Sequence, residues 1–313
     1  PVMPLAKIQF APGVNKEGTE YTADSGWFDS DKIRFRQGRP EKIGGWEKYS
    51  QNYFLGVCRS IHDWASLEAI KYIGLGTNLK FYVNEGNVFN DVTPIRATTT
   101  NGITFAATDG SSVITATDSS HGCAVNDFVT FSDAVSLGGL ITAPVLNQEY
   151  QIASVPTANT YTIVAKDTAG DAVVANSSDT GNGGSGVDGA YQINTGLNAV
   201  VQSSGWGTNS WGSGGFGSAT SIASGGQLRL YSQDNFGEDL LFNPRGGGIY
   251  YWDESSGTSA RAVNVTTLGG ASDAPVVALQ VMVSDIDQHV IAFGTNPIGS
   301  SNIDPLFVRF SDQ

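Results

Sequence analysis

A succession of four short apolar runs in Gln227–Val265 constrains this chain more than any other stretch of it. Gln227-Leu-Arg-Leu-Tyr-Ser232 comes first, then Glu238-Asp-Leu-Leu-Phe-Asn-Pro-Arg245, then Gly248-Ile-Tyr-Tyr-Trp-Asp253, and last Arg261-Ala-Val-Asn-Val265. Aliphatic and aromatic residues fill each run. Gly, Asn, Asp, Ser and Pro, which tolerate turn backbone angles, separate them. Four strands in about 40 residues is the size of one β-propeller blade.

The pattern recurs. Leu279-Gln-Val-Met-Val-Ser-Asp285, Gln288-His-Val-Ile-Ala-Phe-Gly-Thr-Asn296 and Leu306-Phe-Val-Arg-Phe-Ser-Asp312 repeat its first three strands. An earlier copy runs through Ser60-Ile-His-Asp-Trp-Ala-Ser66, Lys71-Tyr-Ile-Gly-Leu-Gly-Thr-Asn78, Lys80-Phe-Tyr-Val-Asn-Glu-Gly86 and Val88-Phe-Asn-Asp-Val92. Gly76-Thr-Asn78 and Gly294-Thr-Asn296 hold the same place in their units. The second strands begin near residues 71, 239 and 289. The last two are one blade-like period apart, whereas the first two are separated by far more, so a segment is inserted after the first copy. A row of hairpins in a β-sandwich is the competing architecture. Few charged residues (15%), 39 glycines and abundant Val, Ile, Tyr and Phe agree with either all-β form. No window keeps helical apolar spacing for more than about two turns.

The surplus falls at residues 97–185, where Thr, Ser, Ala and Asp dominate. Ser111–Thr117, Cys123–Phe131, Glu149–Val155 and Thr160–Lys166 read as strands of a small β-barrel or sandwich. Such a domain leaves and re-enters its host at neighbouring points. The expected division is therefore an N-terminal strand and docking segment (1–50), a first blade (51–96), the inserted β-domain (97–185), a Gly- and aromatic-rich connection (186–226) and two further blades (227–313), the second incomplete.

In a chain of net charge −13, five of the 17 Lys and Arg residues lie between Lys32 and Lys42. Lys32-Ile-Arg-Phe-Arg36 alternates, which predicts a strand with Ile33 and Phe35 on one face and Lys32, Arg34 and Arg36 on the other. With Arg39 and Lys42 these cations form a candidate subunit or partner interface, Ile33, Phe35 and Trp46 packing beneath; a solvated strand face is the plainer reading. Trp206 and Trp211, in the glycine-rich Gly205–Gly217, are candidates for aromatic docking, or sit in an ordered surface loop.

The sequence offers no catalytic, cofactor or metal constellation, and a non-enzyme is expected. Gly212-Ser-Gly-Gly-Phe-Gly217 matches a dinucleotide glycine pattern but lacks the strand before it and the helix after it. His62, His121 and His289 stand apart from one another and read as structural. No Gly-x-Ser-x-Gly elbow occurs. Asp29-Ser-Asp31 and Asp285-Ile-Asp287 are too short for calcium loops. Cys58 and Cys123 fit neither a disulfide framework nor a zinc site and are expected to be buried thiols. No apolar stretch reaches the length of a membrane span, so no stable membrane insertion is expected. The acidity disfavours tight nucleic-acid binding on the outer surface.

Gly26-Trp-Phe-Asp-Ser-Asp-Lys-Ile-Arg-Phe-Arg-Gln-Gly-Arg-Pro-Glu-Lys-Ile-Gly-Gly-Trp46 resembles the N-terminal segment of tailed-bacteriophage virion proteins, in which a strand and a Pro-x-Lys-x-Gly-Gly-Trp turn lead into a propeller. Asn235–Asp253 and Phe307–Asp312 resemble further parts of that family, and Val113–Phe131 resembles a small β-domain often inserted in it. The resemblance implies a structural component similar to the tail nozzle or hub proteins of short-tailed phages. It implies a homo-oligomeric ring, usually six-fold, made in the host cytoplasm and carried in the virion. Such a ring adjoins the portal or adaptor and the tail fibres, and passes double-stranded DNA without holding it. Proteins of that kind continue for several more blades, whereas this sequence stops within one. A receptor- or carbohydrate-binding module is the alternative, with Trp206, Trp211, Tyr250, Tyr251 and Trp252 as aromatic faces for sugars.

Overall fold

The computed structural model describes residues 11–22, 26–195, 230–271, 273–284 and 286–312, and Trp206 and Trp211 lie outside them. The chain divides into two compact units, Pro1–Gln51 and Asn52–Gln313.

The described part of the first unit is held by one hairpin, β1 (Ile33–Arg36) and β2 (Arg39–Lys42). Gln37 and Gly38 form its two-residue turn, both at positive φ (49° and 75°), the backbone a tight hairpin of this twist requires. Arg39 and Pro40 belong to the second strand. Trp27 approaches Phe35 with ring centroids 6.2 Å apart, and the Asn15 N–H donates to the Trp27 carbonyl at 2.9 Å.

The second unit is all-β. β3 (Cys58–Ala65), β4 (Lys71–Thr77), β5 (Phe81–Glu85) and β6 (Val88–Asp91) form an antiparallel sheet in chain order. The chain then leaves through β7 (Ile95–Ala107), and a seven-stranded sheet follows from β8 (Val113–Thr117), β9 (Phe128–Ser132), β10 (Glu149–Gln151), β11 (Ser154–Thr157), β12 (Thr160–Val164) and β13 (Val187–Gln192). Its spatial order is β10-β9-β13-β7-β8-β12-β11. The two edge strands are joined through Ile152 and Ala153 alone, so the sheet curls toward its own edge; among the described residues no sheet closes into a barrel. β7 and β13 pair with Ile95 opposite Gln192, and the Ile193 N–H donates to the Pro94 carbonyl at 3.0 Å, so the chain comes back beside its point of departure.

Two more antiparallel sheets follow. β14 (Tyr231–Phe236), β15 (Asp239–Pro244), β16 (Tyr250–Trp252) and β17 (Val263–Asn264) make the first of them, and β18 (Gln280–Val283), β19 (Val290–Phe293) and β20 (Val308–Phe310) the other. Each runs in chain order. The four-stranded antiparallel blade unit read from the sequence is therefore present twice in full and once as three strands.

Three cores hold this unit together. One fills the seven-stranded sheet around Phe105, Phe131, Tyr150, Tyr161 and Tyr191. A second lies between the β3–β6 and β14–β17 sheets, where the Phe81 and Phe242 rings stack parallel with centroids 3.7 Å apart and Trp252 meets Tyr72 and Trp64 edge-on. The third lies between the β14–β17 and β18–β20 sheets, around Leu241, Ile249 and Val281. Sheets stacked face to face, with their first strands side by side, are the internal arrangement of a propeller. Here it is partial.

Candidate interaction surfaces

The first strand of the middle sheet decides how the stack is held. Successive side chains of a strand point to opposite faces, and β14 uses both. Tyr231 donates its hydroxyl to the Thr77 carbonyl at 2.9 Å, Gln233 donates to Ser60 Oγ at 2.5 Å, and Asn235 Oδ1 accepts from His62 Nε2 at 2.6 Å. All three reach the β3–β6 sheet. Ser232 and Asp234 point the other way, accepting the Val281 and Val283 N–H groups at 2.9 and 2.8 Å. Those amides lie on the open edge of β18, which would otherwise present unpaired donors. A polar cavity of about 650 Å³ opens along these first strands, lined by Ser60, His62, Gln233, Asp234 and Arg245 among others.

A ring of four charges sits where the seven-stranded sheet joins the stack. Lys80 Nζ lies 2.7 Å from Asp91 and 2.5 Å from Glu149, and Arg261 lies 3.3 Å from the same Asp91 and 3.8 Å from the same Glu149. Lys80 and Asp91 belong to the β3–β6 sheet region, Glu149 opens β10, and Arg261 precedes β17, so three substructures meet here. The Lys80 side chain is only 4% exposed and also lies over the Phe128 ring at 4.5 Å. Gln192 donates to Glu149 and Arg261 to the Thr93 carbonyl, satisfying further groups. Burial pushes the Asp91 carboxyl up, but the charges and hydrogen bonds of Lys80, with Thr93 and Arg261, outweigh it and hold the acid below its ordinary value. No local sequence motif marks this cluster, because its members stand at positions 80, 91, 149 and 261.

In the hairpin, the predicted basic face narrows. Arg34 pairs opposite Glu41 and donates to it at 3.2 Å, while Arg36 pairs opposite Arg39. Facing residues share a face, so Arg34, Arg36 and Arg39 lie together and Lys42, opposite Ile33, lies on the other side. Lys32 precedes the strand with φ 56°, and its ammonium turns to Asp31 at 3.5 Å, so it is not part of the alternation. Trp46 is fully exposed and packs beneath nothing. Ile33 and Phe35 are half-buried as the alternation requires.

The aromatic run at Tyr250–Trp252 does not form a surface platform. Tyr250 and Trp252 are buried, and Tyr251 is half-buried with its hydroxyl on Asp239. The other two histidines have local hydrogen-bond partners: His121 accepts the Cys123 N–H on Nδ1 at 3.0 Å, and His289 pairs with the Ser311 carbonyl at 2.9 Å. The expectation of two buried thiols is corrected. Cys58 is exposed on β3, and Cys123 is half-buried beside Arg96, burial raising its thiol to about 12. Among the described residues no three His, Cys, Asp or Glu side chains converge as a metal site, and no helix is long and apolar enough to cross a membrane.

No protein-family model matches the chain, and no curated protein matches it. Among solved structures, phage phi92 endosialidase is similar at 14% identity and a TM-score of 0.24, over 87% of this chain and 40% of that one. This chain thus spans about two fifths of that protein's length. So loose a likeness to a phage protein carries no argument about activity.

Proposed function

We propose that this chain is a structural subunit of a phage tail, a nozzle or hub ring component that continues the DNA channel and retains the packaged genome. The observation that carries the reading is the stack of repeated antiparallel sheets joined along β3, β14 and β18. Of the segments that resemble phage virion proteins, Asn235–Asp253 supplies the end of β14 with β15 and β16 of the middle sheet, and Gly26–Trp46 contains the hairpin of the first unit. The work is mechanical and not catalytic. The seven-stranded sheet acts as an inserted module whose orientation the four-charge ring fixes.

In this reading the hairpin docks the subunit to a neighbouring copy or to the portal or adaptor. Arg36 and Arg39 face each other, an arrangement that costs free energy in an isolated hairpin, and among the described residues no carboxylate bonds either one. An acidic surface would relieve that repulsion, and much of the rest of this chain is acidic. The test is ring assembly followed by light scattering and negative-stain imaging across a salt series. The double variant Arg36→Gln/Arg39→Gln is expected to weaken assembly and to flatten its salt dependence. Unchanged assembly at low salt would remove the hairpin from the interface.

A further inference from the structure

The hairpin of the first unit has two long edges, and they are not alike. In an antiparallel pair, residues alternately turn their N–H and C=O groups toward the partner strand and away from it. The Ile43 N–H donates to the Lys32 carbonyl at 2.9 Å, so Lys32 and Ile43 are an inward-bonding pair. By the register, Arg34 with Glu41 and Arg36 with Arg39 are the next such pairs. The main-chain groups of Ile33 and Phe35 therefore point out along the free edge of β1, and those of Pro40 and Lys42 along the free edge of β2.

Proline has no N–H, so the β2 edge keeps a single donor, at Lys42, and is blunted in the way exposed edges commonly are. The β1 edge keeps both of its donors and both of its acceptors. Among the described residues no carbonyl outside the hairpin accepts the Ile33 or Phe35 N–H. The two faces of β1 differ as well: Arg34 and Arg36 are exposed on one, and Ile33 and Phe35 are half-buried on the other. We propose that the β1 edge is a strand-addition site. An extended segment of another polypeptide, in which carboxylates alternate with apolar residues, pairs with Ile33–Arg36 as the third strand of this sheet.

Charge and pattern select that occupant. Residues facing each other across neighbouring strands share a face, so those opposite Arg34 and Arg36 lie on the arginine face. There Arg36 faces Arg39, no carboxylate among the described residues bonds either, and Arg34 has only Glu41. An acid at alternate positions of the incoming strand answers those cations. The residues between them fall on the other face, beside Ile33 and Phe35, where the Trp27 ring already meets Phe35. The same edge of a second copy is the wrong partner, because β1 paired with β1 sets arginines against arginines. A two-stranded sheet is marginal alone, and a third strand stabilises it. Main-chain bonds at an open edge with side-chain selection on alternate faces is a general mode of peptide recognition. The inference rests on the reading of the hairpin as the docking element and names how it docks.

The test uses the full 313-residue chain, isotope-labelled for amide NMR, and the synthetic peptide acetyl-Val-Glu-Val-Glu-Val-amide as the probe. On titration the Ile33 and Phe35 amide protons should shift downfield and exchange more slowly, while that of Lys42 stays in place. Phe35→Pro removes one outward donor, a substitution the opposite edge already carries at Pro40, and should weaken the peptide about fivefold or more. Phe35→Ala keeps the N–H and should weaken it less, and Lys42→Pro should leave it unchanged. The Ile43 amide, bonded across the hairpin, reports that each variant keeps the hairpin. The peptide with Lys in place of Glu should not bind. No response up to the solubility limit of the probe, an equal response at Lys42, equal affinities for Phe35→Pro and Phe35→Ala, or equal binding of the Lys peptide would each overturn the proposal. Assembly lost in Arg36→Gln/Arg39→Gln without a peptide response would keep the hairpin as an interface and remove strand addition. A peptide response with assembly unchanged in that variant would keep the site and remove it from the ring contact.

Discussion

Lys80 shows how much one residue can hold in an acidic chain. Its ammonium is nearly buried, and its charge is matched by two carboxylates that are themselves 23% and 29% exposed. Removing one partner of a buried pair is costly because the other charge remains behind. Lys80→Met keeps the length of the stem but leaves Asp91 and Glu149 sharing Arg261 alone. Partial exposure of the acids softens the loss, and about 2–3 kcal/mol of unfolding free energy is expected in a urea titration. The pH dependence follows from Asp91. Its folded value lies below its unfolded one, so its contribution is full above the ordinary value of 3.8 and is lost as pH falls through the depressed folded value. Wild type should therefore lose stability steeply below about pH 4, and Lys80→Met more gently. Equal slopes in acid would show that Lys80 does not depress Asp91. None of this was legible in the sequence. Lys80 stands in a run that reads as an ordinary strand start, and its second carboxylate, Glu149, is 69 residues further along the chain.

At the scale of the element, the sequence said much more. Short alternating runs with glycine or asparagine between them define strands because the turn residues admit backbone angles that others resist. Gly86 and Asn87, both at positive φ, close the β5–β6 hairpin accordingly. The repeated Gly-Thr-Asn also had a physical meaning. Asn78 accepts the Val57 N–H just before β3, and Asn296 accepts the Val276 and Val277 N–H groups shortly before β18. Both side chains tie the second strand of a sheet to the chain entering the first. Asn296→Ala is expected to cost about 1–3 kcal/mol, since two amides lose their acceptor, and to loosen β18 first in amide exchange. Less legible was why β4 carries glycines at 74 and 76. A Cβ on Gly76 would fall 2.4 Å from the Tyr231 ring, whereas one on Gly74 would meet mainly the end of the flexible Gln233 side chain. Gly76→Ala should destabilise by about 1–3 kcal/mol and Gly74→Ala by less, as read from thermal or urea unfolding. The reverse order would mean that Tyr231 is not pinned between the sheets. The hairpin was read well as a strand and less well as a surface, because cross-strand partners place Lys42 away from the arginines and single-strand alternation cannot see that.

For the whole molecule, the decisive feature is that residues 95–192 begin and end side by side. Ile95 opposes Gln192, and Ile193 bonds Pro94, so an excision between them would leave two ends already near one another. The seven-stranded sheet has its own core, and the Phe81–Phe242 and Trp252 contacts of the stack involve none of its residues. Two consequences are expected. A chain in which a short Gly-Ser linker replaces residues 95–192 should retain the near-ultraviolet dichroism of the Trp64–Tyr72–Trp252 cluster. The excised segment should melt cooperatively when made alone. The shortened chain should nevertheless be less stable than wild type, because Lys80 and Arg261 lose Glu149 and keep only Asp91. Restoring that balance with Arg261→Met should recover part of the loss, since one buried cation then faces one carboxylate. Collapse of the aromatic signal on excision would instead show that the sheets are stacked only while the seven-stranded body holds them, making the charge ring a structural keystone and not an orienting clamp.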